Sequence, residues 1–167
     1  MSSTTDRLAL PLLASGQAQK EFTHNAALAL ADMLIMPTVQ AVALTTPPAA
    51  PVVGQCWIIG TGATGVWAGH DNTLACFTAG GWLFVPPQDG MQVWSLADHV
   101  MVLHNNGVWT IGTLYAKSLD VAGIQVVGAQ QLTIASPTGG TVIDDVARTA
   151  ISAILAALKT HGLIAAA

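Results

Sequence analysis

The chain has 167 residues, room for one ordinary domain or two small ones, and only 8% of them are charged, against about 25% in a typical soluble domain. Nine acidic residues outnumber five basic ones, and Arg7, Lys20, Lys117, Arg148 and Lys159 form no run or stripe, which excludes the basic footprint that nucleic-acid binding needs. With 52% hydrophobic residues the chain is not a disordered one. So few charges would leave a lone monomer poorly soluble, so much of its surface is expected to be buried against copies of itself or in a larger assembly.

The first region is residues 1–51. Residues 8–14 imitate the core of a short signal peptide, but Asp6 and Pro11 weaken the likeness. A helix is predicted over residues 15–35, with Ser15 as its N-cap and Pro37 stopping it. Phe22, Ala26, Leu30 and Met33 recur at helical spacing and predict its apolar face, while Gln17, Lys20, Glu21, His24, Asn25 and Asp32 fall largely elsewhere. A short strand is predicted over residues 39–44. The proline-rich run Pro47-Pro48-Ala49-Ala50-Pro51 then reads as a stiff linker and a boundary.

The second region, residues 52–114, is β in character. Apolar and aromatic runs at residues 56–59, 74–78, 82–85, 91–94, 100–104 and 108–111 are bounded by turn residues, as strands are. Within it Trp67, Asp71, Leu74, Gly80 and Trp82 recur 27 residues later as Trp94, Asp98, Met101, Gly107 and Trp109. Such a repeat predicts one hairpin device used twice. Asn106-Gly107 has the composition of a two-residue hairpin turn, in which both residues need positive φ. Trp57, Trp82 and Trp109 are expected in the core, because few other large residues are available to build one. Trp67 and Trp94, beside Gly69 and Ser95 at strand ends, are expected to be the exposed pair and the candidate stacking surface for a glycan.

The third region, residues 115–167, begins with short strand-like runs at residues 119–127 and 131–134, ended by Pro137 and Gly139-Gly140. A helix follows, with a capping box predicted at Thr141-x-x-Asp144 and a Schellman stop at His161-Gly162-Leu163. Between the caps Val146, Ala150, Ile151, Ile154, Leu155 and Leu158, with the intervening alanines, cover nearly the whole circumference. A helix apolar all round must be buried on all sides. Its expected partners are copies of itself, packed as a bundle. Arg148, Thr149 and Ser152 interrupt it, and it is shorter than the ~20 residues needed to span a membrane.

Candidate chemistry is sparse. Gly60-Thr61-Gly62-Ala63-Thr64-Gly65 is a literal G-x-G-x-x-G after a strand-like run, but a dinucleotide site also needs a helix to begin there, and residues 66–72 are poor helix formers. A glycine-rich turn between strands is the expected reading. His24, His70, His99, His104 and His161 match no zinc spacing. The carboxylates Asp71, Asp89 and Asp98 are spread by the repeat rather than clustered, and Asp71 and Asp98 are expected to be turn residues. Cys56 and Cys76 are too few for a disulfide framework. Cys76 reads as a small hydrophobe within an apolar run, and a Cys56–Cys76 bridge stays open.

The segment Leu10-Pro11-Leu12-Leu13-Ala14-Ser15-Gly16-Gln17-Ala18-Gln19-Lys20, followed by Thr23-His24-Asn25-Ala26-Ala27-Leu28, resembles the start of domain of unknown function family 2793. Residues 62–71, the run Gly81-Trp82-Leu83-Phe84-Val85-Pro86, Ile143-Asp144 with Arg148, and the ending His161-Gly162-Leu163-Ile164-Ala165 fit the same family. The resemblance implies a virion appendage protein, a fibre or spike piece, of alphaproteobacterial phages and related gene transfer agents. It implies a structural role, located in the virion after assembly in the bacterial cytoplasm, and carries over no catalytic residue.

The expected fold is α+β: an N-terminal helix, a small antiparallel β domain with tandem tryptophan hairpins, and a C-terminal helix in an oligomeric bundle. The expected function is that of a non-enzymatic, homo-oligomeric virion subunit, a trimer being favoured. Because the chain carries no long repetitive shaft, an attachment or base piece is expected. No cofactor, metal, nucleic acid or membrane insertion is expected; the partners are the chain itself and other virion proteins. The alternative is a carbohydrate-binding module that recognises host surface polysaccharide through Trp67 and Trp94.

Overall fold

The computed structural model describes residues 3–16, 20–141 and 144–165. Gln17, Ala18, Gln19 and Ile143 of the family-like motifs lie outside the described residues. The chain divides into two compact units, residues 1–113 and 114–167. Both are α+β in content, with small sheets and one helix each.

The first unit contains the helix α1 (Lys20–Leu34) and the strands β1 (Thr38–Val39), β2 (Cys56–Ile58), β3 (Leu74–Thr78), β4 (Gly81–Val85), β5 (Gln92–Ser95), β6 (Val100–Asn105) and β7 (Val108–Ile111). They form two sheets, ordered β2-β3-β4 and β1-β5-β6-β7. β3 pairs with β4 antiparallel with Phe77 opposite Trp82, and β6 pairs with β7 with His104 opposite Trp109. These two hairpins share one register at the 27-residue offset. The strands leading into them do not keep that offset: Trp57 and Val93 hold equivalent places, opposite Ala75 and Val102, and are 36 residues apart. The extra residues lie between β2 and β3, where a short 3₁₀ turn (Gly65–Trp67) is folded in. Trp67 is therefore on a connecting loop, whereas Trp94 is on strand β5.

Alternation along the strands divides the core in two. Cys56, Ile58, Leu74 and Cys76 face Val93 and Val102 of the other sheet, together with Val39 and Met33. Trp57 and Ala75 project the opposite way, into a cluster with Ile59 and Trp67 that Phe77, Trp82 and Phe84 flank. The run Pro47–Pro51, expected to be a boundary, lies inside this unit. The adjacent chain is tied down: Thr64 N–H donates to the Thr45 carbonyl at 2.8 Å and Gly60 N–H to the Leu44 carbonyl at 2.9 Å. Of the strand expected over residues 39–44, only β1 and an isolated bridge from Leu44 to Ile59 form.

Helix α1 corrects the predicted facing. Phe22 is 71% exposed and Ala26 and Leu30 are also exposed; of the predicted face only Met33 is buried, together with Glu21 and Asp32. The buried face carries polar side chains that bind the main chain of the N-terminal arm. Asp32 accepts from the Arg7 and Leu8 amides at 2.8 and 2.6 Å. Asn25 exchanges two hydrogen bonds with the Leu13 main chain, and Glu21 accepts from the Gly16 amide at 3.3 Å. Arg7 closes the other end, with its guanidinium donating to the carbonyls of Asp32, Met33 and Met36 and to Thr38 Oγ1. Those carbonyls at the helix terminus have no intrahelical partner, and a cation there is also favoured by the helix dipole.

The second unit holds a hairpin, β8 (Leu119–Val121) with β9 (Ile124–Val127), and helix α2 (Asp145–Thr160). The expected strand near residue 131 is reduced to a single bridge from Gln131 to Ile164. Asp144 is itself the N-cap of α2 and accepts from the Ala147 amide at 2.9 Å, so the capping box does not start at Thr141. The stop forms as the sequence predicts: Leu163 N–H donates to the Leu158 carbonyl and Gly162 N–H to that of Lys159, with Gly162 at φ 69°.

Replacing Asp32 by Ala strands two arm amides and is expected to cost about 1–3 kcal/mol. Phe22→Ala, at an exposed position, is expected to change stability by no more than about 0.5 kcal/mol. Urea denaturation curves of the two variants check this contrast, and equal losses would mean that the helix buries its apolar stripe instead.

Candidate functional site

The glycine-rich turn is the first place to look for chemistry. It leads into the three-residue 3₁₀ turn rather than an α-helix. Four of its amides are occupied: Gly60 and Thr64 donate to the carbonyls of Leu44 and Thr45, and Asp71 accepts from Gly62 N–H at 2.8 Å and from Ala63 N–H at 3.0 Å. The latter two hydrogen bonds hold the Asp71 carboxyl below its ordinary pKa. These donors, which a phosphate would need, are thus taken by the chain's own carbonyls and carboxylate. Gly60 serves packing, since a Cβ there would lie 2.5 Å from the Ala43 carbonyl oxygen. Asp98, at the equivalent repeat position, is bound differently. The Ser95 hydroxyl donates to it at 2.6 Å, and the Asp98 amide donates back to the Ser95 oxygen.

The tryptophans separate sharply. Trp67, expected at the surface, is 0% exposed. Its ring packs 6.1 Å from that of Trp57 and 5.1 Å from that of Trp82, the latter nearly perpendicular at 83°. Its indole N–H has no hydrogen-bond partner among the described residues, and the Trp82 ring offers a π face nearby. A sugar has no access to Trp67. The physical reason is the long β2–β3 connection, which folds its apolar residue back over the sheet. Trp94 is 38% exposed. It stands opposite Met101 and beside Thr38, on the face of its sheet that points away from the core. Trp109 is half-buried and donates through Nε1 to the Asn72 carbonyl at 2.9 Å, tying the two β-layers together.

The histidines are dispersed. His70 stacks on Phe84 at 3.8 Å, and His161 is the C-cap of α2. His104 is buried, with Nδ1 3.0 Å from Asp89 and its ring against Trp109. Among the described residues, no three His, Cys, Asp or Glu side chains are grouped to hold a metal ion. No described helix is long and apolar enough to cross a membrane.

A cavity of about 760 Å³ opens between the N-terminal arm and α1, lined by Leu12, Leu13, Phe22, Glu21, Asp32 and Cys76 among others. Glu21 Oε2 is buried there without a partner among the described residues. The apolar periodicity of α1 does not point to this site, because Glu21 lies off the apolar stripe. The spacing of Glu21, Asn25 and Asp32, which puts all three on one side of a helix, was the available signal.

In the second unit, the residues assigned to assembly divide into two groups. Leu155 is buried and Leu158 half-buried within the chain, whereas Val146, Ala150, Ile151 and Ile154 are exposed, Val146 at 81%. Val146, Ala150, Ala153, Ile154 and Ala157 make a continuous exposed stripe at helical spacing.

The family described as "Protein of unknown function (DUF2793)" matches residues 24–110. The matched span takes in most of α1 and β1 to β6, with the glycine turn and both Trp-bearing hairpins, and stops before the second unit. The motif at residues 10–20 and the C-terminal motifs fall outside it. No curated protein matches the chain.

The Asp71 carboxylate has a depressed folded pKa, so the fastening it provides is present above the unfolded carboxyl value of about 3.9. It is lost as pH falls through the lower folded value. In Asp71→Asn this acid dependence is expected to vanish, with faster amide exchange at Gly62 and Ala63 at neutral pH. A carbon-detected NMR titration that found Asp71 at the ordinary value would contradict the assignment.

Proposed function

The chain belongs to the DUF2793 family of proteins of unknown function, and we propose that within it this protein is a structural virion subunit, part of a phage or phage-like fibre or spike, that acts by homo-oligomeric assembly. The observation that carries the reading is the exposed apolar stripe of α2. Val146, Ala150, Ile151 and Ile154 lie open to water on a well-capped helix. Such a stripe on a helix is ordinarily covered by another apolar surface. The alanines between the larger side chains allow close helix approach, and α2 copies would bundle around it, a trimer being favoured. The sparse charge of the whole chain, 8%, agrees with a subunit whose surface is largely covered after assembly. The virion setting rests on the motif resemblance, and the reading assigns the protein no catalysis.

The expected result in light scattering after size exclusion is a discrete oligomer at micromolar concentration. Val146→Asp combined with Ile154→Asp is expected to reduce it to a monomer while the β-sheet circular dichroism signal persists. A wild-type chain that is already monomeric under those conditions would remove the bundle.

A second reading, host polysaccharide recognition, is favoured only by Trp94, because Trp67 is enclosed. Indole rings stack on sugar faces, and Trp94 with Met101 provides an exposed apolar platform on the outer sheet face. Quenching of tryptophan fluorescence by host polysaccharide, lost in Trp94→Ala, is the expected signature. Binding that survives the substitution would end this reading.

A further inference from the structure

We propose that Cys56 and Cys76 are a reversible disulfide site, a pair that closes into a cross-strand bridge on oxidation. Both are free and buried, and they stand directly opposite each other across the antiparallel β2–β3 pair. The ladder identifies the kind of position. Phe77 N–H donates to the Gln55 carbonyl at 2.9 Å, and Ile59 N–H donates to the Thr73 carbonyl at 3.0 Å. Those pairs are hydrogen-bonded, so by alternation Cys56 and Cys76 form a non-hydrogen-bonded pair. Opposed Cα atoms in such a pair are about 4.5 Å apart with side chains on the same face. That separation lies at the short end of the ~4.4–6.8 Å range that disulfides bridge.

The surroundings favour closure. Both thiols belong to the cluster between the sheets, where neighbouring side chains restrict other rotamers. Cys76 also forms part of the wall of the cavity beneath the N-terminal arm, next to Thr78, Ala79 and Gly80, which gives a small oxidant a route in. The Cys76 thiol beside it, and secondarily the Arg7 charge, hold the Cys56 thiol below its ordinary pKa against the opposing effect of burial. Partnership with Cys56, and then burial, push Cys76 up. Of the pair, Cys56 is the thiol whose pKa is lowered, and the same bridge results if Cys76, the thiol on the cavity wall, attacks first.

With hydrogen peroxide as oxidant, the Cys56 thiolate attacks one peroxide oxygen and the O–O bond breaks. This leaves a sulfenic acid on Cys56 and a hydroxide that takes a proton to become water. The Cys76 sulfur then attacks the Cys56 sulfur and expels the second hydroxide, which leaves as water with the Cys76 proton. Two electrons pass from the two sulfurs to the peroxide. The pair stays reduced where glutathione keeps thiols reduced, and closes in an oxidising compartment. The bridge would enclose the whole β2–β3 connection, with the glycine turn and Trp67.

The test uses the full wild-type chain, reduced, desalted, treated with hydrogen peroxide while folded, then unfolded and alkylated. The intact mass is expected to fall by about 2 Da, with neither cysteine alkylated and no crosslinked dimer on a non-reducing gel. Dithiothreitol is expected to restore both thiols, and closure is expected to be slower when oxidation is carried out in concentrated urea. The proposal is overturned by thiols that remain alkylatable after folded-state oxidation, by oxygen added to one cysteine without a bridge, or by a bridge between chains.

Discussion

All three residues of β2 are buried, and so are Leu74, Ala75 and Cys76 of its neighbour β3. Strands with apolar residues on both faces must be covered on both sides, and the rest of the first unit is arranged to do this. One face is closed by the second sheet through Val93 and Val102, with Met33 of α1 completing the layer. The other has no sheet to cover it. The long β2–β3 connection does so instead, delivering Trp67 over Trp57 while Asp71 holds the glycine turn in shape. A sequence segment that imitates a phosphate-binding loop is thereby explained as a lid on an aromatic core, with an internal carboxylate where a ligand's anion would be.

The sequence was most legible where local chemistry decides conformation. Asn106-Gly107 takes positive φ at both residues, at 51° and 76°, as a two-residue hairpin turn requires. The Schellman stop at Gly162 forms with the predicted partners. Both depend on a few neighbouring residues. Legibility failed where a distant segment changed what a residue faces. The apolar periodicity of α1 pointed to Phe22 and Leu30, but the preceding arm, 5 to 25 residues away, offered main-chain amides, and the buried Glu21 and Asp32 with the half-buried Asn25 face it to bind them. Trp67 was misplaced for a related reason. The spacing repeats, but the strands leading into the two hairpins do not, so equivalent letters occupy a loop in one copy and a strand in the other.

The candidate sites follow the same division. Within the span matched by the family, polar side chains are mostly engaged by the main chain: Asp71 by a turn, Asp32 and Asn25 by the arm. Apolar side chains are also left exposed: Trp94 and Met101 on one sheet face and Leu30 along α1 within the span, and Phe22 and the stripe on α2 outside it. Exposed apolar patches of this kind suit contact with other protein surfaces, which is the physical basis of the proposed assembly role.

Arg7 carries a consequence for the order in which the chain can organise itself. Its guanidinium reaches carbonyls that are presented together only where α1 ends, those of Asp32, Met33 and Met36. The arm leaves the ribosome ahead of this helix, yet it has nothing to grasp until the helix has been synthesised and wound. Its docking is thus a late event, and a nascent chain halted before residue 36 would carry the arm loose. Because three of the contacts are to main-chain oxygens, the exposed side chain at position 36 is free to vary without loosening them. Position 7 has no such latitude, since only a planar, multiply donating cation spans the set.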